Sequence, residues 1–92
     1  MADMTLPKEL QDAGWSLAGD GASIEKTFRF KSFRDALSWM VRAGFEAEAM
    51  DHHPDWTNVY NRVEVRLTTH DKRGLTDKDL DLARRMEKIG AR

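Results

Sequence analysis

The chain has no cysteine. That excludes a disulfide framework, a thiolate nucleophile and a thiolate metal site. Proline occurs twice, at Pro7 and Pro54, and no Pro/Gly-rich tract divides the sequence. Neither sign of charge prevails: 15 Lys and Arg stand against 16 Asp and Glu. These charges are interspersed and form no basic stripe, so direct nucleic-acid binding is not expected. No apolar run approaches the roughly 20 residues that a membrane-spanning helix requires. The opening Met1-Ala2-Asp3-Met4 lacks the basic-then-apolar pattern of a signal peptide. The expectation is a cytoplasmic protein without membrane contact, a single domain over residues 1–92. Its core is small enough to make a lone monomer marginal.

What is present falls into punctuated segments. Pro7 suits the start of a short helix running to about Asp12, closed by Gly14. Trp15 and Leu17 read as one face of a short strand. Gly19-Asp20-Gly21 marks a hairpin turn. From Ser23 to Phe30 residues alternate, with Ile24, Phe28 and Phe30 inward and Ser23, Glu25, Thr27 and Arg29 outward; Lys26 breaks the inner parity, as near an edge. Ser32 with Asp35 three residues on predicts a helix N-cap. Phe33, Ala36, Leu37, Met40, Val41, Gly44 and Ala47 then form an apolar stripe. That helix must stop near Met50 or Asp51, because Pro54 disfavours helical geometry at His53. A strand covers Arg62 to Thr69, and a turn within Asn58 to Asn61 makes Thr57 and Asn58 a candidate partner strand. Asp71 to Gly74 is a polar loop. Thr76 and Asp79 form a capping box for a last helix, with Leu75 and Leu80 as a hydrophobic staple and an Asp81–Arg85 pair on its wet face. This order predicts an α+β domain with helices on one face of an antiparallel sheet.

The histidines carry the chemistry. There are three, His52, His53 and His70, all between positions 52 and 70. Imidazole exchanges protons near neutrality, with an unperturbed pKa of about 6.5. A hairpin between Trp56 and Thr69 would return His70 to the His52-His53 pair. Trp56, just after Pro54, could form a flat wall for a planar substrate. Glu48, one helical turn before His52, is placed to orient it. Neither His52 nor His70 is expected in the core. Three histidines and a carboxylate can hold zinc. Adjacent histidines splay apart, however, and no helical His-x-x-x-His spacing occurs, so no metal site is expected. No serine stands near the histidines in sequence. The competing structural explanation is an imidazole capping the last helical carbonyls.

The runs Glu48-Ala49-Met50-Asp51-His52-His53-Pro54-Asp55-Trp56, Asn58-Val59-Tyr60-Asn61, Leu67-Thr68-Thr69-His70 and Gly74-Leu75-Thr76 with Asp79 resemble the signature of pterin-4a-carbinolamine dehydratases. The likeness continues upstream through Gly14-Trp15, Phe28-Arg29-Phe30-Lys31 and Phe33. It implies a four-stranded antiparallel sheet with three helices packed on one face, and a homodimer or a homotetramer built from dimers. It implies dehydration of a 4a-hydroxytetrahydropterin to quinonoid dihydropterin, with no metal or organic cofactor. His52, His53 and His70 would be the catalytic set, His52 and His70 as acid and base and His53 holding the pterin. Asp51, Thr68, Thr69 and Asp71 would contact the pterin, and Pro54 and Trp56 would shape its pocket. The competing functional reading is a non-enzymatic interaction module, like a transcriptional coactivator, on the same fold. An exposed sheet face with Tyr60, Arg62, Glu64 and Arg66 and an edge strand motivates it.

Overall fold

The computed structural model describes residues 5–72 and 74–90. Helix α1 spans Lys8–Asp12, with the Pro7 carbonyl accepting from the N–H groups of Leu10 and Gln11. Gly14, at φ +108°, then turns the chain into strand β1, Ser16–Leu17. The hairpin that follows is tied by Asp20, whose side chain accepts from the Ala22 N–H at 2.9 Å. Strand β2 is Ile24–Arg29, helix α2 Phe33–Met50, strand β3 Asp55–Val59, strand β4 Arg62–Leu67 and helix α3 Asp77–Ile89. A single 3₁₀ turn, His70–Lys72, lies between β4 and α3. It occupies the start of the expected polar loop, and β4 ends two residues short of Thr69.

The four strands form one antiparallel sheet in the order β1-β2-β4-β3. The segment left open by its sequence is a true edge strand. β3 and β4 are joined through Tyr60 and Asn61, and the Asn58 amide donates to the carbonyls of Tyr60 and Arg62 to hold the turn. One sheet face is apolar: Ile24 and Phe28 from β2 and Val63, Val65 and Leu67 from β4 are buried. They meet Ala36, Trp39, Ala43 and Ala47 of α2 and Leu80, Leu82, Ala83 and Met86 of α3 in one core. The domain is thus α+β, a four-stranded antiparallel sheet with three helices on one face.

The buried face of α2 differs from the expected stripe. Ala36, Trp39, Ala43 and Ala47 point inward, whereas Phe33, Leu37 and Val41 are about half exposed. The reason is steric. Three alanines bring the helix backbone close to the sheet and leave room for the Trp39 ring, whose centroid lies 4.4 Å from that of Phe28. A helix apolar on most sides does not disclose by period alone which side is covered.

Smaller departures have local causes. Ser23, expected outward, is buried and accepts from the Arg66 side chain at 3.2 Å. Leu17, expected inward beside Trp15, is exposed, because β1 is only two residues long. β1 offers no partner to Lys26. That ammonium lies 4.3 Å from the Phe28 ring centroid and pairs with Glu87, which also accepts from the Trp15 indole. Ser32 caps α2 by accepting from the Asp35 N–H, and α3 carries the full reciprocal capping box of Thr76 and Asp79. Arg85 does not pair with Asp81. It reaches across to Glu46 of α2, and Asp81 pairs with Arg84.

Candidate active site

The site begins where α2 stops. The N–H groups of Asp51 and His52 donate to the carbonyls of Glu48 and Ala47, both at 3.0 Å. This is the paired bonding of a Schellman motif, which puts its turning residue in the left-handed region and favours glycine there. Here that residue is Asp51, at φ +53°. The turn sends the next two side chains to different places: His52 is buried and His53 is exposed.

His52 meets Asp79, a fully buried carboxylate in the first turn of α3. Its Nε2 lies 2.6 Å from Asp79 Oδ1. Asp79 Oδ2 accepts from the Thr69 hydroxyl at 2.7 Å and from the Thr76 N–H at 3.0 Å. A carboxylate is an acceptor at both oxygens and matches three donors. The Thr69 proton is committed to Asp79, so the Thr76 hydroxyl, 2.7 Å away, must donate to Thr69. The network therefore assigns the proton on His52 to Nε2, and among the described residues Nδ1 has no hydrogen-bond partner. Among the described residues no buried side-chain nitrogen or oxygen lacks a hydrogen bond. His52 lines the cleft described next.

That cleft, of about 450 Å³, is lined by all three histidines. Asp51, Pro54, Thr68, Thr69 and Asp71 line it as well, together with Asp55 and Lys78. The convergence follows from sheet register. Asp55 of β3 pairs with Arg66 of β4, so the chain entering β3 from Pro54 lies beside the chain leaving β4 toward His70. Each imidazole has its own carboxylate. His53 Nε2 is 2.9 Å from Glu48 Oε1, and His70 Nε2 is 3.8 Å from Asp55 Oδ2. Among the described residues no three histidine or acidic side chains converge as metal ligands.

Three expectations need correction. Glu48 orients His53, not His52, because the left-handed turn carries His52 inward past it. Trp56 does not line the cleft; its ring packs toward the core, 6.2 Å from Trp39, since strand alternation turns it to the helix side. His52 is only 8% exposed and belongs structurally to the core. Asp55 and Lys78 line the cleft and the buried Asp79 lies behind it; none of the three was among the expected site residues. Asp79 was legible as a helix cap and as one residue of the family-like signature, but not as the partner of His52. Lys78 was signalled by being a cation in a turn that favours acids. A wider concavity of about 720 Å³ crosses the open sheet face near Glu25, Thr27, Glu64 and Arg66. It has no histidine and no comparable network.

Comparison with known proteins shows the family. The family model described as pterin 4 alpha carbinolamine dehydratase matches residues 1–89. A protein of Opitutus terrae named "Putative pterin-4-alpha-carbinolamine dehydratase" is 62% identical over 77 residues, 83% of this chain and 77% of the relative. One of the same name from Rhizobium rhizogenes is 53% identical over 79 residues, 86% of this chain and 78% of the relative. The crystal structure of a transcriptional coactivator/pterin dehydratase from Brucella melitensis superposes with a TM-score of 0.81 at 43% identity, covering 90% of each chain. A pterin dehydratase-like protein described as a RuBisCO assembly factor in the alpha-carboxysome shares the fold, with a TM-score of 0.72 at 17% identity over 84% of this chain and 89% of its own. By family match and by identity to these relatives, the chain belongs to the pterin-4a-carbinolamine dehydratase family.

Proposed function

We propose that this protein is a working dehydratase, removing water from a 4a-hydroxytetrahydropterin to give quinonoid dihydropterin. The observation that carries the reading is the buried His52–Asp79 pair at a cleft bordered by two more imidazoles. The reaction needs one proton removed from N5 and one delivered to the 4a-hydroxyl. The N5 lone pair then forms the C4a=N5 bond as the C4a–O bond breaks and water leaves. His52 suits the base: Nδ1 takes the N5 proton, and Asp79 stabilises the imidazolium that forms. His70, exposed beside Asp55, suits the acid that protonates the departing hydroxyl. His53, held by Glu48, suits a pterin contact. Asp51, Thr68, Thr69 and Asp71 offer the remaining polar contacts, and Pro54 shapes the cleft. Acid–base help of this kind contributes about 10²–10⁴-fold. In this reading no metal or organic cofactor takes part. The chain works as one domain, in the cytoplasm, in the recycling of a tetrahydrobiopterin-type cofactor. A coupled assay with 4a-hydroxytetrahydropterin tests it: the folded protein is expected to accelerate dehydration, and a rate equal to buffer ends the reading.

The active form is proposed to be a homo-oligomer, a dimer or tetramer. Phe33, Leu37, Val41 and Phe45 recur at intervals of four along α2 and are 46–69% exposed. Arg34 stands in the first turn of the helix and Glu48 in its last. A second copy packed antiparallel about a two-fold axis at Val41 would set Leu37 against Phe45 and Arg34 against Glu48 of the other subunit, a self-complementary contact.

The second reading, an interaction module without catalysis, draws on the coactivator in the name of the Brucella relative. It predicts a heteromeric partner that stays bound when all three histidines are replaced. Dependence of every detectable activity on those histidines counts against it.

A further inference from the structure

Lys78 is the cleft residue that the proposed mechanism leaves unused. It is the second residue of α3, between Asp77 and Asp79. Unpaired N–H groups make a helix start positive, so acids are favoured there and a lysine is not. Its ammonium makes no ion pair among the described residues. It nonetheless lines the cleft beside the carboxylates of Asp51, Asp55 and Asp71. Among the described residues it is the only lining side chain with a permanent positive charge, and it offers donors alone.

A pterin presents two unlike edges to such a lining. The 2-amino group and N3–H are donors and suit carboxylates. The 4-oxo oxygen is an acceptor, one bond removed from C4, next to C4a and on the N5 side of the ring. Lys78 adjoins Asp79, and Asp79 holds His52 at 2.6 Å. Lys78 also lines the cleft that holds His52 and His70, and the 4-oxo group is peri to N5, so a pterin whose C4a and N5 meet the imidazoles carries that oxygen on the edge nearest them.

We propose that Lys78 is a positioning residue that donates to the 4-oxo group of the bound pterin, making the cleft selective for 4-oxo over 4-amino pteridines. This rests on the dehydratase reading and adds a specificity determinant to it. The test is titration of two ligands, 7,8-dihydropterin and its 4-amino counterpart, into the wild type, Lys78→Met and Lys78→Arg, with thermal melts of each. Loss of a hydrogen bond to a charged group weakens binding by about tenfold or more. Lys78→Met is expected to lose that factor for dihydropterin and nothing for the 4-amino ligand, and Lys78→Arg to recover most of it. In turnover, KM should rise with kcat nearly unchanged, the pattern of lost uniform binding. The melting temperature of Lys78→Met should not fall, because its removal relieves the unfavourable dipole contact. Equal weakening of both ligands, or no weakening while the wild type binds dihydropterin, overturns the Lys78 assignment and leaves the dehydratase reading standing. A wild type that binds neither pteridine overturns both.

Discussion

His52 and His70 border one cleft but stand in opposite environments, and substitution should separate them. His52 is buried against a buried carboxylate. His52→Ala leaves Asp79 with an unpaired oxygen in the core, which costs about 3 kcal/mol or more. His70 is 75% exposed, so His70→Ala should change stability by less than about 0.5 kcal/mol. Both should lose most dehydratase activity. Urea melts beside rate measurements check the contrast; a His52→Ala protein as stable as wild type would deny the buried network. Asp79→Asn asks a finer question. The amide keeps the volume, but its NH₂ cannot accept from Thr69, Thr76 or His52, so one donor is stranded and the imidazolium loses its counter-charge. The expected result is a fall in kcat of about 10²-fold or more with KM little changed.

At the scale of elements, the two long helices begin with similar caps that carry different loads. Ser32 accepts from the Asp35 N–H, and among the described residues its side chain makes no other hydrogen bond. Ser32→Ala should therefore cost about 1 kcal/mol, with activity intact. Thr76 caps α3 and also donates to Thr69, which donates to Asp79. Thr76→Ala should cost more than its helix-cap value and lower kcat as well, because Thr69 loses a partner and the His52 support loosens. Denaturant midpoints and initial rates on the two variants decide this. Equal stability losses with no rate effect would reduce Thr76 to a cap. Most of these elements were readable from local signals. Pro7, Gly14, the Asp20-Gly21 turn, Ser32 and Thr76 each act through backbone geometry within a few residues, and that information is present in the chain order. The left-handed Asp51 was not readable, since nothing in its neighbours required a turn that glycine usually makes.

For the whole molecule, the exposed row on α2 bears on assembly. We expect light scattering to report a dimer or tetramer at micromolar concentration. Leu37→Asp combined with Val41→Asp should yield a folded monomer, because both residues are half exposed in the single chain and their loss removes no core contact. A double variant that keeps its assembly would place the interface elsewhere, with the β3 edge the next candidate. The row also explains why the expected core stripe went astray. α2 has more apolar residues than one face can use, and a sequence pattern counts both faces together.

By itself the sequence determined the element order, the α+β class, the placement of His52 and His53 just beyond a helix end, and the likeness to a family. Those follow from short-range steric and hydrogen-bonding rules and from motifs readable in one dimension. Only the tertiary structure decided which face of α2 meets the sheet, that Trp56 turns toward the core, and which carboxylate serves each imidazole. The partner of His52 is 27 positions away. It arrives there because β4 returns the chain across the sheet and α3 then packs its first turn beneath the end of α2. No local preference encodes that meeting. It is settled by the burial of two apolar helix faces on one sheet, and the pairing of His52 with Asp79 is a consequence.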